Sequence, residues 1–176
     1  LFFDNQKIIF DDCYEKNEYL NKLLNPIFKK NVFSIIETPY NFKNILKKCI
    51  YNPFEAQLDV GVMMKNLISN TESMGGKIIT GITVKKVNEN GKVKINDDFI
   101  INAKKVIITT NGFSKKLIDV DLNPARAQVL ITKTIPNLKI KGVFHIDRGY
   151  YYFRNVDNRI LLGGGRHLDK KREQTS

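Results

Sequence analysis

The residues of this chain best suited to chemistry lie between Tyr150 and Arg166. Tyr150-Tyr151-Tyr152-Phe153-Arg154 puts three phenols and a guanidinium into five positions. Read as a strand, alternation places Tyr150, Tyr152 and Arg154 on one face and Tyr151 and Phe153 on the other. One face belongs to a core, and the other can line a pocket. Phe153 is the residue least suited to a wet, polar cavity, so the face with Tyr150, Tyr152 and Arg154 is expected to border one. Tyrosine hydroxyls and an arginine can orient a carboxylate, and an aromatic, desolvated pocket suits an amine. The competing reading makes the aromatics ordinary strand residues and Arg154 a surface or domain-interface residue.

Other groupings carry less. Gly163-Gly164-Gly165-Arg166 has the glycines of a phosphate loop, but no Gly-Lys-Ser/Thr follows and no amphipathic helix opens after it. Those glycines are read as letting a strand bend, or lie against another backbone or a flat ligand. Ser114, His145 and His167 can be drawn with nearby acids as a hydrolase triad, yet the strained Gly-x-Ser-x-Gly elbow is absent. Cys13 and Cys49 have no metal or redox spacing, and the two histidines lack the i, i+4 spacing of helical ligands. No metal site is expected, and two incidental thiols fit a cytoplasmic location. No residue is assigned as a general base.

A net charge of +11 raises the question of nucleic acid. The excess is mostly lysine, scattered in pairs such as Lys29-Lys30, Lys47-Lys48, Lys85-Lys86, Lys104-Lys105 and Lys115-Lys116. Arginine, the residue that grips phosphates and base edges bidentately, is scarce. The pattern reads as a solvated lysine-rich surface, and nucleic acid is not the expected partner. A 42% hydrophobic content with 10% aromatics is that of a globular chain rather than a disordered one. No run of 18 apolar residues occurs, so no membrane span is expected. The chain opens Leu1-Phe2-Phe3-Asp4, with no leader pattern, and stops at Glu173-Gln174-Thr175-Ser176 just after a strand-like segment. The expectation is an internal part of a longer protein.

The elements that must position these groups follow from periodicity. Residues 1–50 suggest a helix around Asp11–Leu24, a turn at Asn25-Pro26 and a short strand at Ser34–Glu37 ended by Thr38-Pro39. Asp59 reads as an N-cap, with Val60, Met63, Met64, Leu67, Ile68 and Thr71 at helical spacing and Gly75-Gly76 as the stop. That stripe predicts an amphipathic helix packed on a sheet. Lys77–Val87 is strand-like, Asn88-Glu89-Asn90-Gly91 signals a hairpin, and Lys92–Ile95 and Phe99–Ala103 continue a three-strand meander through Asn96-Asp97-Asp98. Val106-Ile107-Ile108-Thr109-Thr110-Asn111-Gly112 is an apolar run closed by a glycine, as at the end of a central parallel strand where an open α/β sheet meets its ligand. The strands Lys77–Val84 and Lys104–Thr110 are therefore expected in one sheet. Beyond Asp121, antiparallel strands are predicted at Val129–Thr132, Val143–Ile146, Tyr150–Arg154 and Arg159–Gly164, with a turn at Asp157-Asn158.

The order of these pieces resembles the FAD-dependent D-amino-acid oxidase family, in the broad sense that includes glycine oxidase and sarcosine oxidase-like enzymes. The likeness runs from about Phe54 to Leu168. It rests on Gln57-Leu58-Asp59-Val60-Gly61-Val62-Met63-Met64, Gly75–Val84, Val106–Ser114, Pro124-Ala125-Arg126-Ala127-Gln128-Val129, Tyr151–Arg154 and Arg159–Gly164 in series. The resemblance implies an α/β plus α+β chain: a partial FAD/NAD(P)-binding Rossmann-like domain with a three-strand meander, and part of an antiparallel substrate-binding domain. Residues 58–121 would be the C-terminal part of the FAD-binding domain, and 1–57 with 122–176 parts of the substrate domain. It implies FAD contacts at Val84, Thr110, Asn111 and Gly112, and substrate contacts beside the flavin ring at Tyr150, Tyr152 and Arg154. The implied reaction oxidises an amine or amino acid to an imine by hydride transfer to flavin. The family's Gly-x-Gly-x-x-Gly pyrophosphate turn and its C-terminal substrate-binding arginine segment are absent from these residues, so the chain alone is expected to bind FAD weakly. Two other readings stand beside the enzyme: a basic RNA-associated module or tRNA-modifying oxidase domain, and a non-catalytic remnant serving in interaction. Neither substrate nor oligomeric state is legible.

Overall fold

The computed structural model describes residues 1–96 and 99–174. In chain order its elements are α1 (Lys7–Phe28), β1 (Ser34–Glu37), β2 (Lys48–Tyr51), α2 (Val60–Ser73), β3 (Val84–Val87), β4 (Lys92–Ile95), β5 (Phe99–Asn102), β6 (Val129–Ile131), β7 (Val143–Ile146), β8 (Tyr151–Val156), β9 (Arg159–Gly164) and the short α3 (Lys170–Glu173). They fall into two compact units. One combines Leu1–Gln57 with Ala127–Lys170, and the other combines Leu58–Arg126 with the residues from Lys171 onward. Every strand pairing among the described residues is antiparallel.

The first unit is built on a four-stranded sheet in the order β6-β9-β8-β7. β8 pairs with β9 from Tyr151↔Gly164 to Val156↔Arg159, and with β7 from Ile146↔Tyr151 to Val143↔Arg154. Asp157, at φ 51°, makes the tight reversal between β8 and β9 as its polar, αL-tolerant side chain allows. Asp147, Arg148 and Gly149 all take positive φ in the β7–β8 turn, where Tyr150 N–H donates to the Asp147 carbonyl at 2.9 Å. That turn bond removes Tyr150 from the strand that alternation assigned to it: β8 starts at Tyr151.

α1 extends beyond the predicted span at both ends and runs through Pro26. A proline in the last turn forfeits one ladder bond, and Lys29 in the left-handed region (φ 57°) then ends the helix by donating to the Asn25 carbonyl at 2.8 Å. Asn21 ties the following loop down. Its Oδ1 accepts from the N–H groups of Val32 and Phe33, and its Nδ2 donates to the Phe33 carbonyl, each at 2.8 Å. β1 and β2 form a hairpin from Ser34↔Tyr51 to Glu37↔Lys48, as the predicted strand at Ser34–Glu37 required.

In the second unit the local signals hold. Asp59 caps α2 by accepting from Val62 N–H at 3.0 Å, and Gly75 (φ 86°) stops it. β3-β4-β5 forms the antiparallel meander. Gly91 (φ 76°) sits so close to the Ala103 carbonyl that a Cβ would overlap it. The predicted turn at Asn96-Asp97-Asp98 lies partly outside the described residues.

The larger sheet does not form. Only Val84 of the expected strand Lys77–Val84 enters a ladder, and residues 104–110 enter none. No residue of α2 is buried, and Ile79 and Ile107 are 67% and 85% exposed. A parallel strand is defined by hydrogen bonds to a neighbour as much as by its own pattern. Among the described residues these two segments do not pair with each other, so their apolar side chains have no sheet faces to bury.

Candidate functional site

The sheet β6-β9-β8-β7 carries the residues singled out for substrate contact, and its two faces differ in character. On one, Phe144 and Phe153 stack across β7 and β8, and Phe42 meets both edge-on at 5.8 and 5.7 Å. Tyr40 joins this cluster against Phe144 at 6.1 Å, and its hydroxyl is 3.2 Å from both the carbonyl and the N–H of Lys141. This is the aromatic face. On the other, His145, Tyr152 and Gly163 lie in register across three strands, and the next row is Val143, Arg154 and Leu161. Tyr152 and Arg154 therefore share a face, as period-two geometry demands.

Tyr150 is held differently. Its ring lies 4.1 Å from that of His167 at an interplanar angle of 32°, while Tyr151 meets the same imidazole edge-on at 5.5 Å. Gly165, at φ 78°, turns the chain after β9 so that His167 comes back onto these two rings. Tyr150 and Tyr151 thus border one side chain instead of opposite faces. Nδ1 of His167 is buried and has no hydrogen-bond partner among the described residues.

A cavity of about 550 Å³ lies within the same unit, at the β7 edge of the sheet. Tyr40, Tyr51, Asn52, Gln57, Phe144 and His145 are among its walls, and neither Tyr150, Tyr152 nor Arg154 is. Asn155, which carries no motif in the sequence, ties together Gln57 and Gly142 of those walls. Its Oδ1 accepts from Gly142 N–H at 2.9 Å and from Gln57 Nε2 at 3.4 Å. The volume and the mixture of aromatic walls with a few amides suit a small organic molecule.

The four positions implied for the cofactor belong to the other unit. Val84 opens β3 opposite Ile95. Thr110 Oγ1 lies 3.1 Å from Ser114 Oγ, which donates to the Asn111 carbonyl at 2.9 Å. Ser114 is thereby engaged locally. Asn111 (φ 46°) opens the 3-10 turn Asn111–Lys116. A Cβ on Gly112 would lie 2.9 Å from Cβ of Pro124, so the small residue is required by that proline. These four residues offer main chain and short side chains but no enclosing wall. By themselves they do not make a cradle for a dinucleotide.

Among the described residues no helix is long and apolar enough to cross a membrane. Cys13 and Cys49 are both free thiols. No curated protein and no solved structure matches the sequence significantly. The family model described as FAD dependent oxidoreductase matches residues 24–176, a span that takes in α2, the meander and the whole four-stranded sheet. The chain belongs to the FAD-dependent oxidoreductase family, whose cofactor is FAD.

Proposed function

We propose that this chain is part of an enzyme that oxidises an amine or amino acid to an imine, with FAD as the electron acceptor. The family match carries the redox class. The substrate class is argued from the polar face of the four-stranded sheet. Tyr152 and Arg154 stand two residues apart on it, about 7 Å along the strand. A phenol and a guanidinium at that spacing can grip a carboxylate from two directions. The opposite face carries the packed rings of Phe42, Phe144 and Phe153, so the Tyr152 face is the one whose groups suit a polar ligand. In this reading residues 58–121 are the later part of the FAD-binding domain, with Val84, Thr110, Asn111 and Gly112 toward the cofactor. Residues 1–57 and 122–176 then supply the substrate side, with Tyr150 held beside His167.

The test is kinetic. In the full-length enzyme, Tyr150→Phe and Arg154→Ala are expected to raise KM or lower kcat/KM toward D-amino acids or N-methylglycine while leaving bound FAD unchanged. If both variants match the wild type, neither Tyr150 nor Arg154 meets substrate and this reading of the substrate side fails.

A further inference from the structure

The glycines that close β9 do different jobs, and one of them bears on the reacting face. Gly163 is buried and pairs directly with Tyr152 in the β8–β9 ladder. A Cβ at this position would overlap Cζ and the hydroxyl of Tyr152 and lie 2.8 Å from its Cε1. The phenol therefore folds over the neighbouring strand, into the space that a side chain at 163 would take. On its other flank Tyr152 faces the ring of His145, at 6.4 Å between centroids. The close approach to the ring is that of Gly163 on β9.

Gly164 is a different case. Its φ is 129°, and a Cβ there would overlap the Tyr150 carbonyl and lie 2.8 Å from the Tyr151 Cα. Those atoms are main chain and move only if the ladder moves. At Gly163 the opposing atoms are the far end of a side chain with two rotatable bonds, so added bulk displaces the phenol and spares the strand.

We propose that Gly163 is a positioning residue for the substrate: it seats the Tyr152 ring over β9 and so sets where the Tyr152 hydroxyl meets the polar group of an amino-acid substrate. This rests on the reading of Tyr152 as a substrate contact. Neither a phosphate loop nor a simple bend needs a tyrosine opposite this glycine; a seat does.

A double-mutant cycle in the full-length enzyme separates the seat from the substrate reading. Gly163→Ala, Tyr152→Ala and the double variant are compared for KM toward a panel of D-amino acids and N-methylglycine, for FAD content and for Tm, with Gly164→Ala as the backbone comparison. Gly163→Ala is expected to raise KM about tenfold with FAD content unchanged, the effect of one misdirected hydrogen bond, and to lower Tm by about 3 °C. The double variant should be no worse than Tyr152→Ala by either measure, because removing the ring removes the clash. Gly164→Ala should lower Tm with or without Tyr152. If the Gly163→Ala and Tyr152→Ala effects multiply in KM and add in Tm, Gly163 does not act through Tyr152 and the proposal is overturned. If they are non-additive in Tm while KM is unmoved in all three variants, the ring is seated on Gly163 but does not meet substrate, and the positioning role falls with the substrate reading. If no probe reduces the flavin, the amine reading falls, and additivity in Tm still overturns the seat.

Discussion

Phe153 stacks on Phe144 across the β7–β8 pair, ring centroids 4.7 Å apart and planes 14° from parallel. This contact sets the aromatic face of the sheet. Together with Phe42 it ties the loop after β1 to the sheet, so the residues on the reverse face inherit a fixed frame. Truncating Phe153 to Ala should cost about 2 kcal/mol, below the range for a fully buried phenylalanine because the site is only half-buried. Urea unfolding measures it. A loss under about 0.5 kcal/mol, the scale of an ordinary surface change, would show that the stack does not hold the unit together.

Asn21 provides a second test in the same unit. It makes three hydrogen bonds to the main chain of Val32 and Phe33. Asn21→Ala leaves two N–H groups and a carbonyl without their partner and should cost about 2 kcal/mol. Asn21→Asp keeps the acceptor for both N–H groups and loses only the donor to Phe33, so it should cost less. Equal losses from the two variants would contradict this bonding.

The cap of α2 makes a local prediction. Asp59→Ala should destabilise the helix by about 1 kcal/mol, and Asp59→Asn should be close to neutral, since asparagine caps as well. Hydrogen exchange at Val62, whose N–H the aspartate holds, is the direct readout. Unchanged protection in Asp59→Ala would mean that the cap does not persist in solution.

The 176-residue chain, purified alone, should not retain stoichiometric FAD. Gly112 is closed off by Pro124, Thr110 and Ser114 are engaged with each other, and no helix N-terminus preceded by a glycine turn is present among the implied contacts. An absorption spectrum after desalting decides it, and a one-to-one flavin signal would refute the prediction.

Much of this molecule was legible in the order of its residues, because the signals are local. Asp59 and Gly75 bound a helix whose ends they cap through their own neighbours. Asn88–Gly91 and Asp157-Asn158 reverse the chain because short polar residues and glycine tolerate left-handed backbone. Alternation correctly put Tyr152 and Arg154 on one face, since side-chain direction in a strand has period two. What tertiary structure alone decided is non-local. Tyr150 leaves the strand because the β7–β8 turn captures its N–H, and it then pairs with His167, seventeen positions away. Gly163 matters because Tyr152, on another strand, folds over it. The segments at 77–83 and 104–110 carry the composition of buried strands but form no ladder among the described residues. An apolar run states what a segment would bury. Only a hydrogen-bonded neighbour makes it a strand, and that neighbour is specified elsewhere in the fold.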